Sequence, residues 1–564
     1  MRTRTLLSAS LASAMLIATG CKDTKPVASA EKASESAAVT PARISAERLM
    51  AHVRVLSSDE FAGRLPGTVG EEKTVAYLTE QFKAMGLVPG NPDGSYVQKV
   101  PLVGIDGDAS LQLSVGGKTI EMQPGRDFTA VTQRIVPKVD VQDSELVFVG
   151  YGVIAPEYGW DDYKDVDVKG KTIVMLINDP AVPDPDDPSQ LDPTMFRGKA
   201  MTYYGRWTYK YEIAARVGAA AALIIHETGP AGYPWAVVEN SWTGEQFTLA
   251  TSDQNMGKVP VQAWISNDKA RELFASLGLD FSALKQAAVR KDFEPVPLKA
   301  KASFTIRNRV REVESHNVVA ALPGTEKPDE WIVYSAHWDH LGTNPELDGD
   351  PIYNGALDNA TGVAGVLEIA RALKQSPPKR STLFMLVTAE EQGLLGAKHY
   401  ATNPLYPLEK TLAMINLDVL NPWGPTRDIQ IIGYGQNTLE DVLAAVLAEQ
   451  NRVVAPDEEP EKGFYYRSDQ FEFAKVGVPA LYADAGGDMI GHEPGHGLKK
   501  RLEYNANDYH KPSDEIKDDW NLDGAAQDLQ ALAEVGRRVA NGDAWPQWKE
   551  GSEFKAVREA SLKR

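Results

Sequence analysis

The chain has 564 residues, of which 43% are apolar and 24% charged, a globular balance with enough apolar material for more than one core. A net charge of -19 with no basic stripe argues against a nucleic-acid partner. The single cysteine leaves no partner for an internal disulfide, and no run beyond the first 21 residues is long and apolar enough to span a bilayer.

The opening stretch MRTRTLLSASLASAMLIATGC carries Arg2 and Arg4, then an apolar run, then small residues before Cys21. That is the pattern of a secretory signal over residues 1–21. Its ending, LIATGC, resembles a bacterial lipobox, in which Cys21 becomes the lipidated first residue. The expectation is an exported protein, membrane-anchored through lipidated Cys21 and facing the periplasm, or else secreted. A plain signal peptide with an incidental Cys21 is the alternative. Residues 22–41 are small, polar and Pro-containing, and read as a flexible linker.

Two helical patterns follow, ISAERLMAHVRVLSS with Ser45 as its cap and TVGEEKTVAYLTEQFKAMG closed by Gly86. Strands and loops fill the remainder of 42–140, the first part of the main domain. Near residue 141 the texture changes. SELVFVGYGV, GKTIVMLIN and KVPVQAWIS read as strands, and RWTYKYEIAARVGAAAALIIHE as helix, turn and strand, so 141–300 reads as an inserted small α/β unit. From 301 to 545 buried strands alternate with amphipathic helices. The fold class this predicts is α/β, a mostly parallel mixed sheet flanked by helices. Residues 546–564 read as a polar tail.

In such sheets sites collect at the carboxyl ends of strands. WIVYSA runs into HWDHLG and delivers His337; TLFMLVTA ends at Glu390 and Glu391; TLAMINLD ends at Asp418. Asp358 precedes the helix that starts near Ala360, and His510 lies in the late loop NANDYHKPSDE. Each has an ordinary reading when taken alone: a core histidine, a helix cap, a turn residue, or a glutamate in the first turn of a helix. Together, His337, Asp358, Glu391, Asp418 and His510 are the His and carboxylate donors that two zinc ions accept. Glu390 is then spare and stands as a general base, which accounts for two adjacent glutamates at one strand end. Asp339 and Asp514 are candidates to orient the ring N–H groups of His337 and His510.

With these residues in view, the chain resembles the zinc-dependent, co-catalytic aminopeptidases of the bacterial leucyl aminopeptidase type. The resemblance is strongest to members carrying an inserted protease-associated domain. It is carried by HWDHLG, GALDNATGVAGVLEIAR, FMLVTAEEQGLLGAKHY, MINLDVL, RSDQFEFAKVGVPAL and YHKPSDE. The resemblance implies a zinc exopeptidase-like fold and a peptide hydrolase acting on peptide amino termini. It implies that His337 and Asp418 hold one zinc, Glu391 and His510 the other, and that Asp358 bridges them. Glu390 would be the base and Asp339 the residue that orients His337. The 141–300 insert is similar to protease-associated domains.

One departure is SDQ at Ser468–Gln470, where the family often has Ser-Asp-His. Tyr465 or Tyr466 just upstream is a candidate donor to the developing oxyanion, with core packing as the alternative. Glu346, Asp350 and Asp484 are candidates for the substrate ammonium. His492 and His496 read as a loop near the site mouth, because Pro494 and Gly495 oppose a helix between them. The other functions kept open are a carboxypeptidase or dipeptidase, for which Arg467 would be the cationic group, a glutaminyl cyclase-like enzyme, and a noncatalytic binding protein on the same scaffold.

Overall fold

The computed structural model describes residues 42–563, so Cys21 and the 22–41 linker lie outside them. Helix α1 (Ala46–Leu56) begins where the Ser45 hydroxyl accepts the Arg48 N–H, and it buries Leu49, Val53 and Leu56, one face of the helical repeat. Helix α2 (Val69–Ala84) is capped by Thr68 and stops at Gly86, whose φ of 70° ends the helix in the left-handed region.

The strands that follow are β1 (Val97–Val115), β2 (Phe128–Val131), β3 (Lys138–Phe148), β4 (Thr172–Leu176), β5 (Ala221–Ile225) and β6 (Val261–Ile265). Among them lie α3 (Trp207–Arg216) and α4 (Asn267–Ser276). Next come β7 (Val296–Leu322), β8 (Lys327–His337), α5 (Thr361–Lys374), β9 (Arg380–Val387), α6 (Leu395–Thr402) and β10 (Thr411–Asn416). The chain closes with β11 (Asp428–Ile431), α7 (Leu439–Glu449), β12 (Val453–Pro456), β13 (Ala480–Ala485), α8 (His496–Asn507), α9 (Asp523–Asn541) and α10 (Lys555–Ser561).

Among the described residues one mixed sheet runs in the order β12-β11-β13-β10-β8-β9-β7-β3-β4-β5-β6-β2. The strands β9, β8, β10 and β13 pair in parallel, as do β3, β4, β5 and β6. Both parallel groups are buried on two faces, which is why their sequences are continuous apolar runs and not alternating ones. One core joins α1, α2, α5 and α9 to one face of β8–β10, through Leu49, Phe82, Tyr334, Leu367 and Leu529. A smaller one covers the opposite face with Tyr400 and Phe473. A separate core, built on Phe148, Ile173, Ile224, Trp264 and Phe274, fills the 111–306 region.

Two expectations change. The helix after Glu391 begins only at Leu395, because Gly393 and Leu394 adopt φ of 106° and 60°. Glu390 and Glu391 are therefore loop residues, and the helix-dipole reading of the pair does not apply. The 546–564 segment, expected as a polar tail, packs instead: Trp548 and Phe554 are buried against Tyr465, Tyr466 and Phe471, and the Trp548 indole donates to the Gly477 carbonyl at 2.9 Å.

Candidate metal centre

Parallel pairing sets the site. In register, His337 stands level with Val387 and Ser335 with Asn416. Asp418, two residues past β10, therefore comes level with His337, and the turn after β9 brings up Glu390 and Glu391. The turn before α5 supplies Asp358, and the loop after α8 supplies His510.

The donor atoms converge. His337 Nε2 lies 3.2 Å from both Asp358 Oδ1 and Asp418 Oδ1. The other Asp358 oxygen is 3.4 Å from His510 Nε2, which is 3.0 Å from Glu391 Oε2. His340 Nδ1 is 2.7 Å from Glu391 Oε1. Asp358 thus belongs to two donor groups, one with His337 and Asp418 and one with His340 and Glu391. His337 is 1% exposed at its side chain and His510 36%, so His510 is the donor that solvent reaches.

The surroundings fix these positions. His337 Nδ1 is 3.1 Å from the Asp339 carbonyl and 3.8 Å from its carboxylate, so its N–H points at Asp339 and Nε2 is free to act as a ligand. The Asp339 carboxylate accepts the backbone N–H groups of Glu390 at 3.1 Å and Glu391 at 3.4 Å. Ser468 donates to Asp418 at 2.7 Å, and Asn416 donates to Ser468 at 2.7 Å. Arg64, 1% exposed, donates to the carbonyls of Trp338, Leu56, Asn354 and Gly355, which ties the strand end to the Asp358 turn. The backbone beside the donors is strained: Ala389, Val419 and His510 have φ of 53°, 55° and 57°, and Val419 is β-branched.

Charge balance supports cations here. Asp339, Asp358, Asp418 and Asp469 are buried, and the half-buried Glu390 and Glu391 crowd against them. Burial, together with the nearby Asp418 and Glu391 carboxylates, holds Glu390 well above the usual carboxylate range. Burial alone would depress His337, but Glu390 and Asp418 carry it well above its ordinary value. His510 Nε2 lies beside two carboxylates yet makes no hydrogen bond to either, and His340 Nε2 is buried without a partner. Buried nitrogens that approach carboxylates without bonding to them are suited to share a cation. The donor set fits zinc: His337, Asp358 and Asp418 on one side, Asp358 and Glu391 with His510 or His340 on the other.

Several expected residues sit elsewhere or do something else. Asp514 does not reach the His510 ring; it accepts the N–H groups of Leu357 and Asp358, each at 3.0 Å, and the Tyr504 hydroxyl, so it shapes the Asp358 turn. Tyr466 donates to Glu553 at 2.8 Å, and Tyr465 is packed in the same aromatic core, so neither hydroxyl is turned to the donors. Glu346 and Asp350 are exposed, and Asp484 pairs with Arg501 at 3.4 Å. His492 and His496 stack on each other at 4.0 Å where α8 begins. Sequence reasoning missed His340, three residues past His337 in the same stretch. It missed Asp469, buried with both oxygens unpartnered. It also missed Tyr509, stacked on His510 at 3.8 Å, for which the local sequence carries no signal.

Residues 317–533 match the model of Peptidase family M28. The matched segment is less than half of the chain. It contains every converging donor named above. The chain is similar to a probable zinc metalloprotease of Pyrenophora teres f. teres, 41% identical over 104 residues, which is 18% of this chain and 22% of the relative. It is also similar to the aminopeptidase NAALADL1 of Mus musculus, 31% identical over 178 residues, 28% of this chain and 22% of the relative. The chain thus spans less than a quarter of the length of either. Among solved structures, an aminopeptidase from Aneurinibacillus sp. strain AM-1 aligns at 21% identity with a TM-score of 0.49, covering 89% of this chain and 96% of that one. The matched segment excludes Arg64, which nonetheless braces the site from the turn before α2.

Proposed function

We propose that the protein is an exported dizinc aminopeptidase. The observation that carries this reading is Asp358, which presents one oxygen to His337 and the other to His510, so that two donor groups share it. A lone zinc would need neither the second group nor the spare Glu390.

His337, Asp358 and Asp418 would hold one ion, and Asp358, Glu391 and His510 the other, with His340 bracing Glu391. Zinc bound there supplies Lewis acidity toward water and toward a peptide carbonyl. The chain's own residues do the rest. Glu390, half-buried beside the donors with no competing hydrogen bond to its carboxylate among the described residues, takes the proton of the attacking water and returns it to the leaving amine. Asp339 fixes the Glu390 backbone and the His337 ring together. The surplus of carboxylates around the centre favours a substrate ammonium, which supports action at a free amino terminus. Lipidation at Cys21 would keep this site outside the cytoplasm at a membrane surface; Cys21→Ala should abolish incorporation of labelled fatty acid, and persisting label would contradict the anchor.

The deciding experiment takes protein lacking residues 1–21, reconstituted with zinc. Two zincs per chain, with release of amino acid from unblocked but not acetyl-blocked peptides, is the expected result. One zinc, or activity on blocked peptides alone, would overturn it in favour of a cyclase or carboxypeptidase.

A further inference from the structure

Arg206 and Arg467 are remote in sequence and neighbours in space. Arg206 follows the turn Tyr203–Gly205 and precedes α3; Arg467 ends the turn Phe464–Tyr466. Tyr233 lies beside both, with the Arg467 guanidinium 5.8 Å from its ring centre and 5.1 Å from that of Phe464. Gly232, at a φ of 81°, closes the turn beside Arg467.

Neither guanidinium has a carboxylate partner among the described residues. The Arg467 side chain donates only to the Lys462 carbonyl, at 2.6 Å, and the Arg206 side chain donates to nothing. The Nε atoms of both are buried and unpartnered. The deeply buried Arg64, Arg380, Arg452 and Arg558 instead all donate to carbonyl or carboxylate oxygens. Burial and the neighbouring Arg467 push Arg206 down to about 10, the mark of a cation held against another without a counter-charge. Both side chains are half-buried and so remain open on one side.

Arg467 directly precedes Ser468, whose hydroxyl donates to Asp418 at 2.7 Å, so the pair adjoins the donor cluster. Tyr509 stacks on His510 at 3.8 Å and lies within charge range of Arg467 as well as of Asp358, Glu391 and Glu390. A carboxylate-rich centre, suited to an ammonium, therefore adjoins a pair of arginines that have no carboxylate partner among the described residues. We propose that Arg206 and Arg467 bind a carboxylate on the leaving-group side of the substrate, so that the enzyme selects short peptides carrying both charges. The guanidinium fork matches a carboxylate in two-point geometry, and the site is half supplied by the 141–300 region. This rests on the aminopeptidase reading above. The carboxylate is the free C-terminus or an acidic side chain near it.

The test compares leucylglycylglycine with its C-terminal amide, and with an amidated peptide that carries an acidic side chain after leucine. The expected result is a kcat/KM for the free acid at least about tenfold above the amide, expressed mainly in KM. In Arg206→Gln and in Arg467→Gln that ratio falls toward one. Recovery of the preference by the acidic amidated peptide assigns the carboxylate to the side chain; its failure to recover assigns it to the C-terminus. A wild-type enzyme that prefers neither the free acid nor the acidic amidated peptide over the neutral amide, or a preference preserved in both variants, overturns the proposal. Binding of the free acid and the amide to zinc-loaded Glu390→Gln protein reads the same preference without turnover. Equal affinities there overturn the carboxylate site, whereas a retained preference there, with zinc-loaded wild-type protein cleaving no amino terminus, overturns the aminopeptidase reading alone.

Discussion

The Asp339 carboxylate accepts the Glu390 backbone N–H at 3.1 Å, while the Asp339 carbonyl lies 3.1 Å from His337 Nδ1. One residue therefore sets both a metal donor and the base. Asp339→Ala keeps that carbonyl but frees the Glu390 and Glu391 N–H groups, so it should lower turnover and weaken zinc binding through Glu391 by about tenfold. Chelator competition measures this directly, and unchanged zinc affinity would remove Asp339 from that role.

Glu390 and Glu391 are expected to separate cleanly on mutation. Glu390→Gln should keep near-normal zinc and lose about 10²–10⁴-fold in turnover, the range for a positioned acid–base group. Glu391→Ala should lower zinc occupancy first. Metal analysis beside single-turnover rates distinguishes them, and the reverse pattern would exchange their roles.

Asp514 gives a prediction about folding as much as catalysis. Its two oxygens hold the N–H groups of Leu357 and Asp358, so Asp514→Ala leaves buried donors unpaired. A loss of roughly 1–3 kcal/mol in urea-monitored stability is expected, together with weaker zinc binding through Asp358. Wild-type stability in the apo variant would show that the turn holds without it.

The Glu553 carboxyl, raised by burial to about 7 from its usual 4.5, accepts the Tyr466 hydroxyl. The folded chain thus keeps a proton there that the unfolded chain releases above its own lower value. Stability from this group is full below about pH 4.5 and is lost as pH rises to about 7. Glu553→Gln keeps an acceptor and cannot ionise, so its urea midpoint should decline less between those pH values than that of the wild type. Parallel pH profiles of the two proteins would refute the assignment.

Most of the donor constellation was legible in sequence because a parallel strand announces its carboxyl end: an apolar run stops and a polar residue follows. His337, Glu390, Glu391 and Asp418 all follow that rule. Asp358 and His510 needed the motif as well, since they lie in turns. What escaped reading depends on how distant loops fold back. His340 shares its stretch with His337, but only the return of the Glu391 turn makes it a neighbour. Tyr465 and Tyr466 face away because the last twenty residues come back to cover them, and nothing in those residues' polar character announces Trp548 and Phe554 as anchors. Arg206 and Arg467 lie in turns far apart in sequence, and no local pattern pairs them.

Strand β7 has a consequence for the molecule as a mechanical object. Its first half pairs with β3, its last residues Val318–Leu322 with β9, and Ala300–Val318 run beside β1. It is a single beam shared by both halves of the sheet. Excising residues 141–300 would strip that beam of a neighbour and leave a long open edge, an invitation to aggregation. Heating should meet one cooperative transition rather than two, and slowed amide exchange caused by zinc at the donor cluster should extend along β7 into strands that never approach the metal.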